Sequence, residues 1–346
     1  MKLIATDPAA ARIETLRVSS DRLSDLRFQS GEPRHVSVYL PAGYDQNTDR
    51  YYPVLYCLAP WTSSGRISFS WSSFKESLPD RLGRLVAQKQ MPACIVVAPD
   101  LYTDLGGSQF INSSCLGPHA DYLVKDLFPF IEDQFRVMKG GAHRGAFGRS
   151  SGGYGALRLA MDYPGEIGAV ACHSGDMGFD QVYRGDLVDL CSGLVKFKGD
   201  VGLFIDSCLS ANKIGGKDVH LLMLIGMAAS YSPDEGMPQG LRLPIDLRTG
   251  ALLEDVWQQW LAHDPVHLIE NHNIQKALQK LSCLFIECGT RDQYNLLYGA
   301  RQFVDALTHY GIDHQYQEFD DNHSGTDYRY DISLPLLSEA LLSNHS

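Results

Sequence analysis

A G-x-S-x-G motif stands at Gly148-Arg149-Ser150-Ser151-Gly152, with a further glycine, Gly153, behind it. A small, apolar-leaning run precedes it at 145–147, and a pattern with helical period follows over 154–161 and ends before Pro164. The order of strand, tight turn and helix predicts a nucleophile elbow, in which the turn holds a serine at a strained backbone angle. Strand and helix pass close together there, so the positions flanking the serine need glycine, which Gly148 and Gly152 supply.

Two adjacent serines, Ser150 and Ser151, compete for the nucleophile position. Centring the motif on Ser151 would place Arg149 where the first glycine is required, and a side chain of that size does not fit the turn. The glycine frame therefore selects Ser150. The competing interpretation is a glycine-rich turn whose serine only caps the following helix.

Apolar runs and amphipathic segments alternate along most of the chain. Continuous apolar runs such as 52–58 and 94–99 are typical of strands buried on both faces, whereas two earlier alternating segments predict antiparallel edge strands. This alternation indicates an α/β fold, a mainly parallel central sheet covered by helices on both faces. Besides the strand before the elbow, the predicted strands are 12–18, 35–40, 52–58, 94–99, 167–172, 283–288 and 314–319.

The alternation stops between Met177 and Pro265, where the pattern predicts only helices. One of them, 219–229, is apolar nearly all round but too short to span a membrane, which needs roughly twenty residues. Because the segment leaves the sheet after the strand that follows the elbow, we expect it to form a cap over Ser150. Packing on the side of the sheet is the alternative. We expect one domain over 1–346, with 177–265 as a helical insertion.

Charge and cysteine content argue against several classes of protein. The net charge of −11 disfavours nucleic acid or an anionic membrane as a partner, because both require a basic surface. The eight cysteines are scattered without a C-x-x-C pair, which favours a reduced, cytoplasmic protein. The first residues, 1–7, carry no apolar segment typical of a secretory signal. The sequence does not predict an oligomeric state.

A nucleophilic serine needs a base to take its proton and a third group to orient that base. Asp292 follows the penultimate predicted strand and His323 follows the last one, which gives the order serine, acid, histidine at the carboxyl ends of strands. Asp292 and His323 are therefore the predicted acid and base. Asp320 and Asp321 are rivals for the acid, while a helix-capping aspartate and a surface histidine are the non-catalytic interpretations.

Two backbone N–H groups are needed to bind the developing oxyanion. One is predicted to be that of Ser151, at the start of a helix whose dipole favours negative charge. The other should come from the loop after the strand ending at Leu58, where Pro60 has no N–H and Trp61 is the candidate. The aspartates around His323 match no metal-ligand spacing, so neither a metal nor a cofactor is predicted.

Several segments are similar to a known family: 36–44, 52–56, 121–123, the elbow, and the terminal aspartate and histidine. They resemble the esterase group of α/β-hydrolases that includes esterase D, the antigen 85 mycolyltransferases, enterochelin esterases and feruloyl esterases. The resemblance covers most of the chain and implies an α/β-hydrolase fold. It implies Ser150, Asp292 and His323 as the catalytic triad, with the amides of Trp61 and Ser151 as oxyanion donors. The chain departs from the family at 59–60, where Ala-Pro replaces the more usual His-Gly or Ser-Gly.

These features together predict a serine carboxylesterase that acts on small-molecule esters through an acyl-enzyme. A helical cap would narrow the acyl pocket and favour short acyl chains. An acyltransferase differs only in whether water or another alcohol or thiol resolves the acyl-enzyme, so it stays an alternative. A non-catalytic binding protein on a hydrolase scaffold is the alternative from another class, and hydrolysis of a chromogenic ester distinguishes it.

Overall fold

The computed structural model describes residues 10–24, 26–29 and 34–343, and this part of the chain is built on a central eight-stranded sheet. A two-stranded ribbon, Asn112–Ser113 with Gly117–Pro118, lies apart from it. The strands of the central sheet are β1 (Arg12–Val18), β2 (Arg34–Leu40), β3 (Val54–Leu58), β4 (Ile95–Pro99), β5 (Arg144–Arg149), β6 (Ala169–His173), β7 (Cys283–Gly289) and β8 (Gln315–Phe319).

The strand order across the central sheet is β1-β2-β4-β3-β5-β6-β7-β8. All neighbouring pairs from β4 to β8 are parallel, whereas β2 runs antiparallel to both β1 and β4. The prediction of two edge strands is therefore wrong for β2, which lies inside the sheet. Ser37, a polar residue of this nearly alternating segment, is only 3% exposed. The order reverses between β3 and β5, a position where α/β sheets bind ligands at the carboxyl ends of their strands.

Ten helices of seven or more residues lie within the described part of the chain, together with several single turns. A continuous helical stretch precedes the second of them, because His119–Asp121 and a π-helical segment, Tyr122–Leu127, lead directly into it. The ten are α1 (Leu78–Ala87), α2 (Phe128–Gln134), α3 (Ser151–Asp162), α4 (Leu187–Gly193), α5 (Val201–Leu209), α6 (Gly216–Tyr231), α7 (Glu254–Leu261), α8 (His272–Leu278), α9 (Leu296–His309) and α10 (Tyr330–Ser343).

Alternate residues of the strands enter two different hydrophobic clusters, so both faces of the sheet are covered. In β3, Val54 and Tyr56 pack with helices α2, α3 and α9, whereas Leu55 and Cys57 pack with α1 and α10. Side chains alternate between the faces of a strand, which places one cluster on each side. Burial on both faces explains why the central strands appear in the sequence as continuous apolar runs.

A third cluster is formed mainly by the segment 177–265, which contains α4 to α7. Its largest fully buried side chains include Trp257, Trp260 and Phe204. It also takes in Leu105 and Tyr154 from the main domain, so the insertion packs directly against the region of the elbow helix. The segment that follows β6 in the chain therefore forms a helical layer next to the elbow helix.

The segment 1–7, for which no secretory signal was predicted, lies outside the described residues. In the part of the chain that the structure describes, no helix has the length and apolar character to cross a membrane.

Candidate active site

The elbow serine stands at the junction of β5 and α3 in a backbone conformation that non-glycine residues rarely adopt. Ser150 has φ of 56° and ψ of −129°, and its N–H donates to the carbonyl of His173 at 2.9 Å. A Cβ on Gly152 would lie 2.0 Å from the carbonyl oxygen of Leu58, and one on Gly148 would lie 2.4 Å from the same oxygen. Such approaches exclude any side chain, which explains both glycines of the motif.

Asp292 and His323 meet at the carboxyl ends of β7 and β8. Nδ1 of His323 lies 2.8 Å from Oδ2 of Asp292, and the Asp292 side chain is inaccessible to solvent. The N–H of Tyr294 donates to the other carboxylate oxygen at 2.9 Å, and the Tyr294 ring contacts the imidazole edge to face. The N–H of His323 donates to Oε1 of Gln293. The carboxylate is thus fixed from two sides, and Nε2 of the imidazole is left for other partners.

The rival aspartates do not contact the imidazole. Asp320 is paired with Arg291 at 2.9 Å, and its side chain is 87% exposed. Asp321 accepts a hydrogen bond from the hydroxyl of Tyr328 at 3.1 Å. Both side chains therefore face away from His323 although they precede it in the same loop.

The hydroxyl of Ser150 faces a residue that the sequence did not single out. Its one hydrogen-bond partner among the described residues is Asp176, with Oγ 3.5 Å from Oδ1. The structure brings Ser150 and His323 into the same cavity without a hydrogen bond between them. Hydrogen bonds of this kind are often formed only when substrate is bound, and a rotation about χ1 of Ser150 would redirect Oγ.

The cavity around Ser150 has a volume of about 450 Å³ and is lined from both parts of the fold. Its base is formed by segments that follow β3, β5, β6, β7 and β8, as expected for a site at the carboxyl ends of the strands. Its opposite wall comes from the segment 177–265. The residues of that wall include Val182, Tyr183, Val219, His220, Met223 and Met227.

The two predicted oxyanion donors, Trp61 and Ser151, both line this cavity. Ser151 is the first residue of α3, where backbone N–H groups have no partner within the helix. The Trp61 ring lies against Gly106, where a Cβ would come within 2.3 Å of it, and its Nε1 donates to the carbonyl of Leu105 at 3.1 Å. The Trp61 side chain is therefore anchored, and its amide belongs to the loop after β3.

Asp176 is the functional candidate that sequence reasoning missed. It follows β6 by three residues, lies in the cavity beside Ser150 and is only 4% exposed. Burial raises the pKa of its carboxyl group, while hydrogen bonds from Gln109 and Tyr183 act in the opposite direction. Its position at the carboxyl end of a strand next to β5 was the signal available in the sequence.

His173, at the end of β6, is held by a polar network away from the cavity. Nδ1 lies 2.8 Å from Oε1 of Glu287, and Nε2 lies 2.9 Å from the hydroxyl of Ser333. Glu287 is also paired with Arg329 at 2.7 Å, and these partners lower the pKa of its carboxyl group in spite of burial. Both ring nitrogens of His173 have hydrogen-bond partners, which indicates a structural role for this histidine.

The fold is that of the α/β-hydrolases, and solved structures of this class match nearly the whole chain. A ferulic acid esterase superimposes with a TM-score of 0.59 at 17% identity, over 96% of this chain and 99% of that one. An S-formylglutathione hydrolase from Agrobacterium tumefaciens gives 0.58 at 15% identity, over 99% and 100%. FphF, a fluorophosphonate-binding serine hydrolase from Staphylococcus aureus, gives 0.57 at 16% identity, over 96% and 99%. At these identities the likeness shows the fold alone, and the predicted fold class is confirmed.

The chain belongs to the family described as "Putative esterase", whose profile matches residues 29–336. The resemblance inferred from the sequence is thereby confirmed. Two curated relatives from Mycobacterium tuberculosis, Esterase Rv1288 of strain H37Rv and Esterase MT1326 of strain CDC 1551, are each 31% identical over 180 residues. That alignment covers 49% of this chain and 36% of each relative, so the chain matches about a third of their length.

Proposed function

We propose that this protein is a serine carboxylesterase in which Ser150 is the nucleophile, His323 the base and Asp292 the group that orients the base. The observation that carries this proposal is the 2.8 Å contact between Asp292 Oδ2 and Nδ1 of His323, whose ring lines the same cavity as the strained Ser150. Membership of an esterase family supports the same reaction class. A small-molecule ester of a carboxylic acid is the proposed substrate.

The proposed reaction follows from the chemistry of these three groups. Ser150 Oγ attacks the ester carbonyl carbon while Nε2 of His323 takes the hydroxyl proton, and Asp292 stabilises the resulting imidazolium. The amides of Ser151 and Trp61 would bind the oxyanion. The carbon–oxygen bond to the alcohol then breaks, and His323 returns its proton to the departing oxygen. Water loses a proton to His323 as it attacks the acyl-enzyme, which releases the acid and restores Ser150.

The insertion 177–265 is proposed to be a cap that limits the length of the acyl chain. Met223 and Met227 of α6 and Val182 line the cavity that contains Ser150, so apolar side chains face the reacting group. Packing on the side of the sheet alone would leave these residues away from the cavity. A short acyl chain is the substrate feature that such a wall favours.

The proposal is tested by replacing each serine of the elbow in turn. Ser150→Ala should lower kcat for p-nitrophenyl acetate by a factor on the order of a million, because the residues of a triad act as a unit. Ser151→Ala should lower kcat far less, since cleavage of the ester uses only its backbone N–H and its hydroxyl contacts Asp176 rather than the reacting atoms. Release of p-nitrophenol measured at saturating ester gives both values. Equal, measurable hydrolysis by Ser150→Ala and the unmodified protein would exclude Ser150 as the nucleophile, whereas no hydrolysis by either would favour a binding protein.

We also propose a cytoplasmic location. All eight cysteines are free thiols, and seven of them are buried. Burial raises the pKa of most of these thiols, for example that of Cys172 to about 12, which makes them poor partners for disulfide exchange. Free cysteines of this kind are typical of proteins in a reducing compartment.

A further inference from the structure

Asp176 is a second buried carboxyl group next to the nucleophile, and the esterase reaction proposed above does not use it. Asp292 already contacts the imidazole of His323, so Asp176 is not needed as the acid of the triad. Burying a carboxylate is unfavourable unless its oxygens are satisfied by hydrogen bonds or by a cation. Its hydrogen bonds therefore indicate what it is built to bind.

The two oxygens of Asp176 have unequal surroundings. Oδ2 accepts three hydrogen bonds, from Nε2 of Gln109 at 2.8 Å, the hydroxyl of Tyr183 at 3.0 Å and the hydroxyl of Ser151 at 3.2 Å. The one partner of Oδ1 among the described residues is the Ser150 hydroxyl at 3.5 Å, which is long for an O–H···O hydrogen bond. One oxygen is thus fixed by the protein, while the other faces the nucleophile with unused capacity to accept.

Strained backbone holds this arrangement on both sides. Ser174, on the turn that carries Asp176, has φ of 44°. Gln109 and its neighbour Phe110 have φ of 54° and 56°, and Gln109 is the donor closest to the carboxylate. Two consecutive non-glycine residues in the left-handed region persist only where the surrounding structure requires them, and such strain concentrates at functional sites.

The position of Asp176 places it on the acyl side of the proposed reaction. An attacked carbonyl carbon directs its oxygen toward the amides of Ser151 and Trp61, and its leaving oxygen toward His323, which must protonate it. The acyl group must then point to the remaining wall of the cavity. Asp176 and Tyr183 form part of that wall next to Ser150.

An ionised carboxylate at this place is unfavourable for a plain acyl group, because its charge repels the developing oxyanion. A positive charge on the acyl group would neutralise the carboxylate and remove this repulsion. Because Oδ1 lies 3.5 Å from Ser150 Oγ in the observed rotamer, the charge must sit close to the reacting centre, on the carbon next to the carbonyl carbon. An α-ammonium group meets both conditions, with N–H donors for Oδ1 and the opposite charge.

We propose that Asp176 binds the α-ammonium group of the substrate, so that the site prefers esters of small α-amino acids. This inference rests on the esterase function proposed above. Gln109, Tyr183 and Ser151 act as positioning residues that hold Oδ2 and direct Oδ1 toward the substrate. The methionines of α6 limit the size of the amino-acid side chain, since they line the same cavity.

The test compares the ethyl esters of alanine, lactic acid and propionic acid, which share a carbon skeleton and differ only in an α-ammonium, α-hydroxyl or α-hydrogen. Hydrolysis is followed by acid release in a pH-stat, at a pH where the amine is protonated. The protein should have its highest kcat/KM for the alanine ester. Asp176→Asn should lower the ratio of alanine to propionate kcat/KM about tenfold to a hundredfold, the worth of a hydrogen bond to a charged group. Asp305→Asn, which removes one exposed carboxylate on α9, is the matched control and should keep the ratio.

A second measurement needs no variant and covers the case in which Asp176→Asn does not fold. Inhibition by 1-aminoethylboronic acid is compared with inhibition by ethylboronic acid, because boronic acids form tetrahedral adducts with a nucleophilic serine. Tighter inhibition by the amino compound supports the inference. The inference is overturned, and the esterase function left intact, if the propionate ester is hydrolysed but the α-ammonium group raises neither kcat/KM nor the affinity for the boronic acid. If none of the three esters is hydrolysed and neither boronic acid binds, the esterase function itself is overturned.

Discussion

At the scale of single residues, the Asp292–His323 pair is the contact on which the proposed mechanism depends. The carboxylate accepts from Nδ1, which leaves Nε2 unprotonated and able to take the proton of Ser150. Asp292→Asn should lower kcat by about 10⁴-fold, because an amide in this place favours the wrong tautomer of the imidazole. The measurement is steady-state hydrolysis of a p-nitrophenyl ester, with KM expected to change little.

Asp321→Asn is the matched control for this substitution. Asp321 accepts from Tyr328 and does not contact the imidazole, so the variant should keep most of the activity. The opposite pattern, an active Asp292→Asn and an inactive Asp321→Asn, would assign the acid to the loop of the histidine.

The residues predicted from the sequence are those fixed by chain order. Asp292 and His323 could be placed because parallel strands bring their carboxyl ends to one edge, whatever the detailed packing. Asp176 has the same kind of position, after β6, but its importance comes from the direction of its side chain toward Ser150. That direction depends on Gln109, which is distant in the sequence, so a single-sequence pattern does not reveal it.

At the scale of secondary structure elements, helix α6 is the part of the insertion that reaches the reacting group. Met223→Ala and Met227→Ala should each shift the preferred p-nitrophenyl ester toward longer acyl chains, by roughly 0.8 kcal/mol for each newly accommodated methylene. The profile of kcat/KM against chain length measures this shift. Met227 is 1% exposed, so its truncation should also lower the stability of the protein.

Met237→Ala is the matched control within the same insertion. Met237 is 43% exposed and lies outside the cavity that contains Ser150, so its truncation should leave the profile unchanged. If Met223→Ala and Met227→Ala also keep the parental profile of kcat/KM against chain length, the insertion is a structural layer and not a cap.

The elements that the sequence predicts well are those with a strong and local signal. The predicted strand 12–18 coincides with β1, because apolar and polar residues nearly alternate along it, which is a local pattern. The position of β2 inside the sheet was missed, since strand order depends on pairings between distant segments. The π-helical segment Tyr122–Leu127 has an apolar pattern like that of an α-helix, so periodicity alone does not distinguish the two.

At the scale of the whole molecule, the insertion is fastened to the main domain by a buried polar contact on the elbow helix. Arg158 of α3 donates to Nδ1 of His263 at 3.3 Å and to its carbonyl oxygen at 3.2 Å. The hydroxyl of Tyr154 donates to the same carbonyl at 3.0 Å. An arginine donor requires an unprotonated Nδ1, so the contact with Nδ1 exists only while His263 is neutral, whereas the two hydrogen bonds to the carbonyl do not depend on the charge of the ring. One part of the contact between the elbow helix and the insertion therefore depends on the charge state of His263.

This dependence predicts that acid weakens the fold through His263. Burial, and then the charge of Arg158, lowers the pKa of His263 from 6.5 to about 3. A depressed folded-state pKa stabilises the folded protein above pH 6.5, and that stabilisation is lost as the pH falls from 6.5 toward 3. Burial likewise lowers the pKa of His119 to about 3, so each histidine should cost about 1.4 kcal/mol per pH unit in this window. The raised pKa values of the buried carboxyl groups of Asp176 and Asp264 have the opposite sign, because the folded protein then keeps protons that the unfolded chain has released.

The measurement is the free energy of unfolding in urea at a series of pH values below 6.5. His263→Asn should reduce the slope of this free energy against pH by the contribution of one titrating group. Asparagine keeps an oxygen that can accept from Arg158 but does not titrate, so the contact between insertion and elbow helix would survive acidification. His272→Asn removes an exposed histidine that begins α8 and should leave the slope as it is. Equal slopes for His263→Asn and the unmodified protein would mean that His263 does not set the acid stability of the fold. In that case the insertion would be held by contacts that do not titrate in this range, such as the ring contact between Tyr154 and Tyr231.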